Sequence, residues 1–238
     1  LSLAGELNVC VKGAKLTLET ADVGAASNGI PVASVKLKQA LSLSAEQKFT
    51  GELMQVNFIN LPLTWINPWL GDGMQLSGEA LSVQIIFSGD ESGALELKTP
   101  VPIEFGAFSL WKNQQPLLDN VTLRMNPRIR FEEARAVRFD LGAFQLLDRY
   151  GDVISGTAIG SKSESTDASP LVGMECKVLL YLGLSELLQQ PAFAGTGGVL
   201  AGQAKVEFDY NAQAEYPVQL QASITGLRAR DLPGSSQD

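Results

Sequence analysis

The sequence predicts an all-β fold: repeated antiparallel strands forming a curved sheet, a sandwich or a groove, with two short capping helices. Three observations carry this. Apolar and polar residues alternate with period two through about a dozen short segments, the pattern of half-buried strands. No long stretch has the apolar period of an amphipathic helix. A unit of helical turn, glycine break and strand also occurs twice, at residues 61–87 and, more weakly, at 184–210, and a third fragment opens the chain at 1–11.

Taken in order, residues 1–11 place Leu3, Leu7, Val9 and Val11 on one face and Ser2, Glu6 and Asn8 on the other. Beyond Lys12 the apolar phase moves to Leu16 and Leu18, which asks for a turn or bulge at Gly13. Asn28-Gly29 has the chemistry of a hairpin turn. Val35, Leu37, Leu41 and Leu43 resume the alternation, and Leu53, Val56 and Phe58 mark another strand. Residues 63–70 read as about two helical turns, begun by Pro62 and limited by Pro68. Leu63, Ile66 and Leu70 share one face, with Trp65 and Trp69 stacked beside it. The expected role is a helix that caps the end of the β core with its tryptophans, so Trp65, Ile66, Trp69 and Leu70 are the expected capping residues. A carbohydrate-stacking platform is the alternative.

Leu81, Val83, Ile85 and Phe87 alternate next, followed by Leu95 and Leu97, then Val101, Ile103 and Phe105, where Pro100 and Pro102 suggest an edge strand. Val121, Leu123 and Met125 and then Val137, Phe139 and Leu141 continue the series. The arginines at 124, 128, 130, 135, 138 and 149 are interleaved with Glu132, Glu133, Asp140 and Asp148. Such alternation reads as a solvated face with cross-strand ion pairs, the alternative being a patch for an anionic headgroup or partner. Residues 155–170 hold few apolar side chains and are expected to form a flexible loop. That loop divides a first β-rich segment (1–154) from a second (171–230), with a linker-like tail at 231–238. Residues 174–182 form a strand, and 185–190 a short helix capped by Ser185. Val206, Phe208 and Tyr210 begin the longest clean alternation, and Val218, Leu220, Ala222 and Ile224 follow.

Composition excludes several function classes. The chain of 238 residues carries a net charge of −8, with a pI near 4.7. Nucleic acid is therefore not an expected partner, because phosphate binding needs an excess of Lys and Arg. The sequence contains no histidine, which removes the commonest general base and metal ligand together. Cys10 and Cys176 fall on opposite strand faces, polar and apolar respectively, which disfavours a disulfide. No nucleophile elbow, phosphate loop or dinucleotide fingerprint occurs. Glu132-Glu133 would project to opposite faces of a strand, and the run Asp148 to Asp152 lacks calcium-loop spacing. No catalytic residue, metal or cofactor is expected, so the chain reads as non-enzymatic. There is no signal peptide or spanning apolar run. Because the chain opens inside a strand pattern at Leu1, it reads as a segment cut from a longer precursor.

The stretch Leu-Pro-Leu-Thr-Trp-Ile-Asn-Pro-Trp-Leu at 61–70, followed by Leu76-Ser77-Gly78-Glu79, resembles the repeat of AsmA-like (TamB-related) proteins of the Gram-negative envelope. So does 184–188 running on to Leu200-Ala201-Gly202. The resemblance implies a periplasmic, β-rich segment of a protein held in the inner membrane by an N-terminal helix. It also implies a role in phospholipid transport or outer-membrane homeostasis, with an apolar groove for acyl chains. Membrane contact is then expected through parts outside this segment. On that reading Leu81, Val83, Ile85 and Phe87, with Val206, Phe208 and Tyr210, line a core or groove. The competing expectations are a structural or adhesive β-sandwich segment of a surface protein, and a two-carboxylate carbohydrate-active enzyme.

Overall fold

Alternation becomes strand almost wherever it occurs. The computed structural model describes residues 2–12, 15–43, 48–132, 136–163, 173–193 and 200–229. The strands are β1 (Ser2–Lys12), β2 (Lys15–Ser27), β3 (Ile30–Leu37), β4 (Leu41–Leu43), β5 (Gly51–Leu61), β6 (Met74–Ser77), β7 (Leu81–Gly89), β8 (Leu95–Lys98), β9 (Ile103–Lys112), β10 (Gln115–Met125), β11 (Arg128–Phe131), β12 (Val137–Asp148), β13 (Gly151–Lys162), β14 (Met174–Gly183), β15 (Leu200–Asn211) and β16 (Val218–Ala229). All belong to one open, curved, antiparallel sheet of sixteen strands. Asn28 and Gly29 both take positive φ, as do Asn113 and Gln114, which is the backbone of the two-residue hairpin turn.

The main path runs β1-β2-β3-β5-β7-β8-β11-β12-β13-β14-β15-β16. One edge of β12 is shared: residues 137–140 pair with β11 and residues 145–147 pair with β10. From β10 a side branch continues through β9 to β6. Prolines cause the split. Pro100 and Pro102 separate β8 from β9, and Pro127 separates β10 from β11; a residue without an N–H cannot continue the ladder. The two prolines predicted to mark an edge strand thus sit inside a kinked hairpin. Across that kink the buried Thr99 hydroxyl donates to Asn126 Oδ1 at 2.8 Å.

Where the branch leaves the path, a small closed core forms from Leu63, Leu81, Ile103, Phe108, Val121, Leu146 and Val153. Two helical pieces cover it. A 3-10 turn (Leu63–Trp69) places Leu63 in the core with Ile66 against it, and α1 (Leu184–Leu187) contributes Leu187. A second 3-10 turn (Pro191–Phe193) follows.

Val11 faces Leu16 and Val9 faces Leu18 across the first hairpin, so the phase shift comes with the turn between Lys12 and Lys15, whose Gly13 lies outside the described residues; a bulge follows, where Asn8 pairs with Thr20. The structure corrects three expectations. Residues 155–162 are the second half of β13, paired on both sides, although residues 164–170 of the expected loop lie outside the described residues. Small side chains are what that position requires: a Cβ on Gly160 would collide with the Phe139 ring. The helix near 185 begins after Gly183, not at Ser185, and has no side-chain cap. Finally, the tryptophans do not cap the core. Leu63 and Ile66 do so, while Trp65 is exposed and Trp69 keeps 80 % of its surface in solvent.

Candidate functional site

In an antiparallel sheet, residues directly opposite each other project from the same face. The registers can therefore be followed from strand to strand. Leu37 faces Met54, Met54 faces Phe87, Phe87 faces Leu97, Leu97 faces Ile129 and Ile129 faces Phe139. The file continues through Gly160, Cys176, Tyr210 and Val218. One position in each strand from β3 to β16 along the main path carries an apolar, aromatic or small side chain. The adjacent file is of opposite character: Lys36, Gln55, Ile86, Lys98, Arg128, Asp140, Ile159, Lys177, Asp209 and Gln219. Along these files one face of the sheet is thus apolar, aromatic or small, and the other is mainly polar or charged, with Ile86 and Ile159 as exceptions.

Parallel files repeat the pattern. Leu146, Ile154, Leu182, Ala204 and Ile224 stand in register, as do Val35, Val56 and Ile85. The apolar face is not sealed. No residue of the Leu37-to-Val218 file is buried. On β16, Val218, Leu220 and Ile224 are exposed, and on β1 so are Leu3 and Leu7.

The residues singled out from sequence fall as follows. Leu81 belongs to the closed core. Val83, Ile85 and Phe87 project from the apolar face of β7, half-buried, and Val206, Phe208 and Tyr210 do so from β15. Phe87 and Tyr210 stand in one file although β8, β11, β12, β13 and β14 lie between their strands. Leu70 is half-buried at the end of the 3-10 turn, its N–H donating to Asn67 O at 3.2 Å. Sequence reasoning did not link Leu37, Met54, Leu97, Ile129 and Phe139 to this surface. Leu37, Leu97 and Phe139 were legible as strand residues and Ile129 was not, and the alignment of the file depends on a strand order that no local pattern encodes.

The opposite face carries the arginines. Arg128 Nε lies 3.3 Å from Glu96, Arg130 Nη2 2.5 Å from Asp90, Arg138 Nε 3.2 Å from Glu132 and Arg124 Nε 2.8 Å from Glu104. A hollow of about 490 Å³ lies among Arg128, Arg130, Arg138, Asp140, Glu175 and Lys177. Its cations already have carboxylate partners, the arrangement of a solvated, charge-paired face. Glu132 is spent on Arg138 and Arg130, while Glu133 and Arg135 lie outside the described residues. Asp148 accepts from the N–H groups of Tyr150 and Gly151, fixing a turn. Cys10 and Cys176 are free thiols, on β1 and β14. Burial pushes the Cys176 thiol up, and Asp209 adds to the shift, which favours the protonated thiol over the thiolate. Among the described residues no cluster of acidic or cysteine side chains could hold a metal ion, and no helix is long and apolar enough to cross a membrane.

Asp90 gives a test of this charged face. Its carboxylate accepts the Ser92 hydroxyl at 2.5 Å and the Ser92 N–H at 2.9 Å, besides the Arg130 pair. The Ser92 hydroxyl chiefly, with its N–H and Arg130 helping against some desolvation, holds the Asp90 carboxyl below the usual range. A carboxyl depressed by folding contributes stability above its unfolded pKa and loses it as pH falls through the folded value. NMR titration is therefore expected to place Asp90 below an ordinary aspartate, and Ser92→Ala to move it back up. An unchanged midpoint in Ser92→Ala would show that the hydroxyl is not the main cause.

Comparison with protein-family models, curated proteins and solved structures finds no match for this chain.

Proposed function

We propose that this chain is a non-enzymatic, lipid-handling segment whose apolar sheet face covers phospholipid acyl chains. The observation that carries the reading is the file of apolar, aromatic or small residues from Leu37 to Val218, none of it buried. Full burial of one aliphatic or aromatic side chain is worth about 1.5–3 kcal/mol. A face of this width left in water forgoes a large part of that, and an acyl chain lying across the strands recovers it without asking for any specific polar contact. The half-exposed file also weighs against a closed β-sandwich of purely structural role. The resemblance to AsmA-like repeats points the same way and suggests a periplasmic setting in a bacterial envelope, in phospholipid transport or outer-membrane homeostasis.

Native mass spectrometry of the purified chain, followed by organic extraction, tests the proposal. Stoichiometric phospholipid that survives gel filtration is the expected result. A clean unliganded mass, with no lipid taken up from added vesicles, overturns lipid binding and leaves a structural segment.

A further inference from the structure

We propose that one end of the sheet, the end that carries all three tryptophans, is a docking surface for the interfacial zone of an electrically neutral phospholipid bilayer. Strand direction alternates along the main path. The connections after β5, β9, β12 and β14 therefore leave the sheet at the same end. The first holds Trp65 and Trp69, the second follows Trp111 at the end of β9, the third holds Tyr150 and the fourth Phe193. Trp69, Trp65, Tyr150 and Phe193 are exposed, and Trp111 is half-buried. The sequence contains only three tryptophans: Trp65 and Trp69 share one turn, and Trp111 comes from the end of β9.

Hydrogen bonds knit these connections into one surface. Asn67 Oδ1 accepts from Leu76 N–H at 2.7 Å, tying the tryptophan turn to β6. Asn113 N–H donates to Gly73 O at 2.8 Å, tying the β9–β10 turn to the segment just before β6. The side chain of Gln190, itself buried, accepts from Asp119 N–H at 3.1 Å and donates to Asp148 at 3.2 Å, which joins β10, the turn beyond α1 and the β12–β13 turn. The aromatic residues are thus held on a scaffold and are not tips of independent loops.

Side-chain chemistry selects the partner. Trp and Tyr combine a broad apolar body with one polar atom and settle where apolar and wet zones meet, at the level of lipid headgroups. The charges in and beside these connections include Asp72, Asp119, Asp148, Asp152 and Glu186 against Lys112 and Arg149, an acidic excess. Attraction to anionic lipid or to nucleic acid therefore does not supply the binding. Insertion of rings into a neutral interface needs no such attraction and is insensitive to salt.

The test is flotation of the whole chain with phosphatidylcholine vesicles, with tryptophan emission read in parallel. Co-flotation that persists in high salt, with a blue shift of the emission, is expected. The double substitution Trp65→Ala with Trp69→Ala is expected to weaken partitioning by about tenfold or more, since two rings lose their burial. Tyr150→Ser gives a milder loss from a separate connection. Phospholipid co-purifying on the sheet face, read by native mass spectrometry, stays unchanged in these variants, so docking and acyl-chain cover are scored separately. No flotation with neutral vesicles, flotation only with anionic ones, or full flotation of the double variant would each overturn the proposal.

Discussion

If the apolar face covers acyl chains as proposed, Val206→Glu is expected to lower co-purifying phospholipid by at least about tenfold, while the same charge placed by Thr157→Glu is expected to leave it in place. Val206 faces Leu180 on β14 and Ala222 on β16, all on the apolar face. It is half-buried by its neighbours in the sheet. An acyl chain crossing β14, β15 and β16 would complete its cover, and a carboxylate there would be desolvated without a partner. Leaving even a neutral polar group buried and unpaired costs about 1–3 kcal/mol, and a charge more; about 1.4 kcal/mol already corresponds to a factor of ten. Thr157 lies on β13, on the opposite face, exposed. Its substitution changes net charge equally, so it separates a local effect at the apolar face from a general one. Lipid extracted and quantified from the two purified variants decides the matter. Equal lipid in both would mean that the apolar face is not where the acyl chains lie.

Much of this surface was legible from alternation alone, and the parts that were not have physical reasons. Val206, Phe208 and Tyr210 project from one face because period two leaves a strand no other choice. The same rule applied at Val83, Ile85 and Phe87. That Phe87 and Tyr210 share a file was beyond the sequence, since it depends on five intervening strands each holding register. Residues 155–162 read as a loop because Gly156, Ala158 and Gly160 lack apolar bulk. In the sheet those small residues make room, and the Phe139 ring lies across Gly160. Helical spacing correctly grouped Leu63 with Ile66, but it assigned the capping role to the tryptophans as well. Large aromatic side chains are usually counted as core, and nothing local marked Trp69 as lying outside it. Pro68 within the turn removes a backbone donor and favours the tighter 3-10 geometry, in which the side-chain faces differ from those of an α-helix.

The closed core, unlike the open face, is where stability is concentrated, and Leu63→Ala is expected to destabilise the chain by about 2–5 kcal/mol. Leu63 is 1 % exposed and is the one fully buried residue of the tryptophan turn. It shares one cluster with Leu81 of β7, Ile103 and Phe108 of β9, Val121 of β10, and Leu146 and Val153 of the β12–β13 hairpin. These residues come from both the main path and the side branch, so the cluster is what fastens the two together. Truncating Leu63 opens a cavity that rigid strands cannot readily fill. For a typical net stability of about 5–15 kcal/mol the loss is a large fraction. Trp69→Ala, at the other end of the same seven-residue element, should cost within about 0.5 kcal/mol, because its ring meets mainly solvent. Urea unfolding followed by circular dichroism reads both. A loss below about 1 kcal/mol for Leu63→Ala would mean that the branch is held by its strand pairing alone, and that the tryptophan turn rests on the sheet without anchoring it.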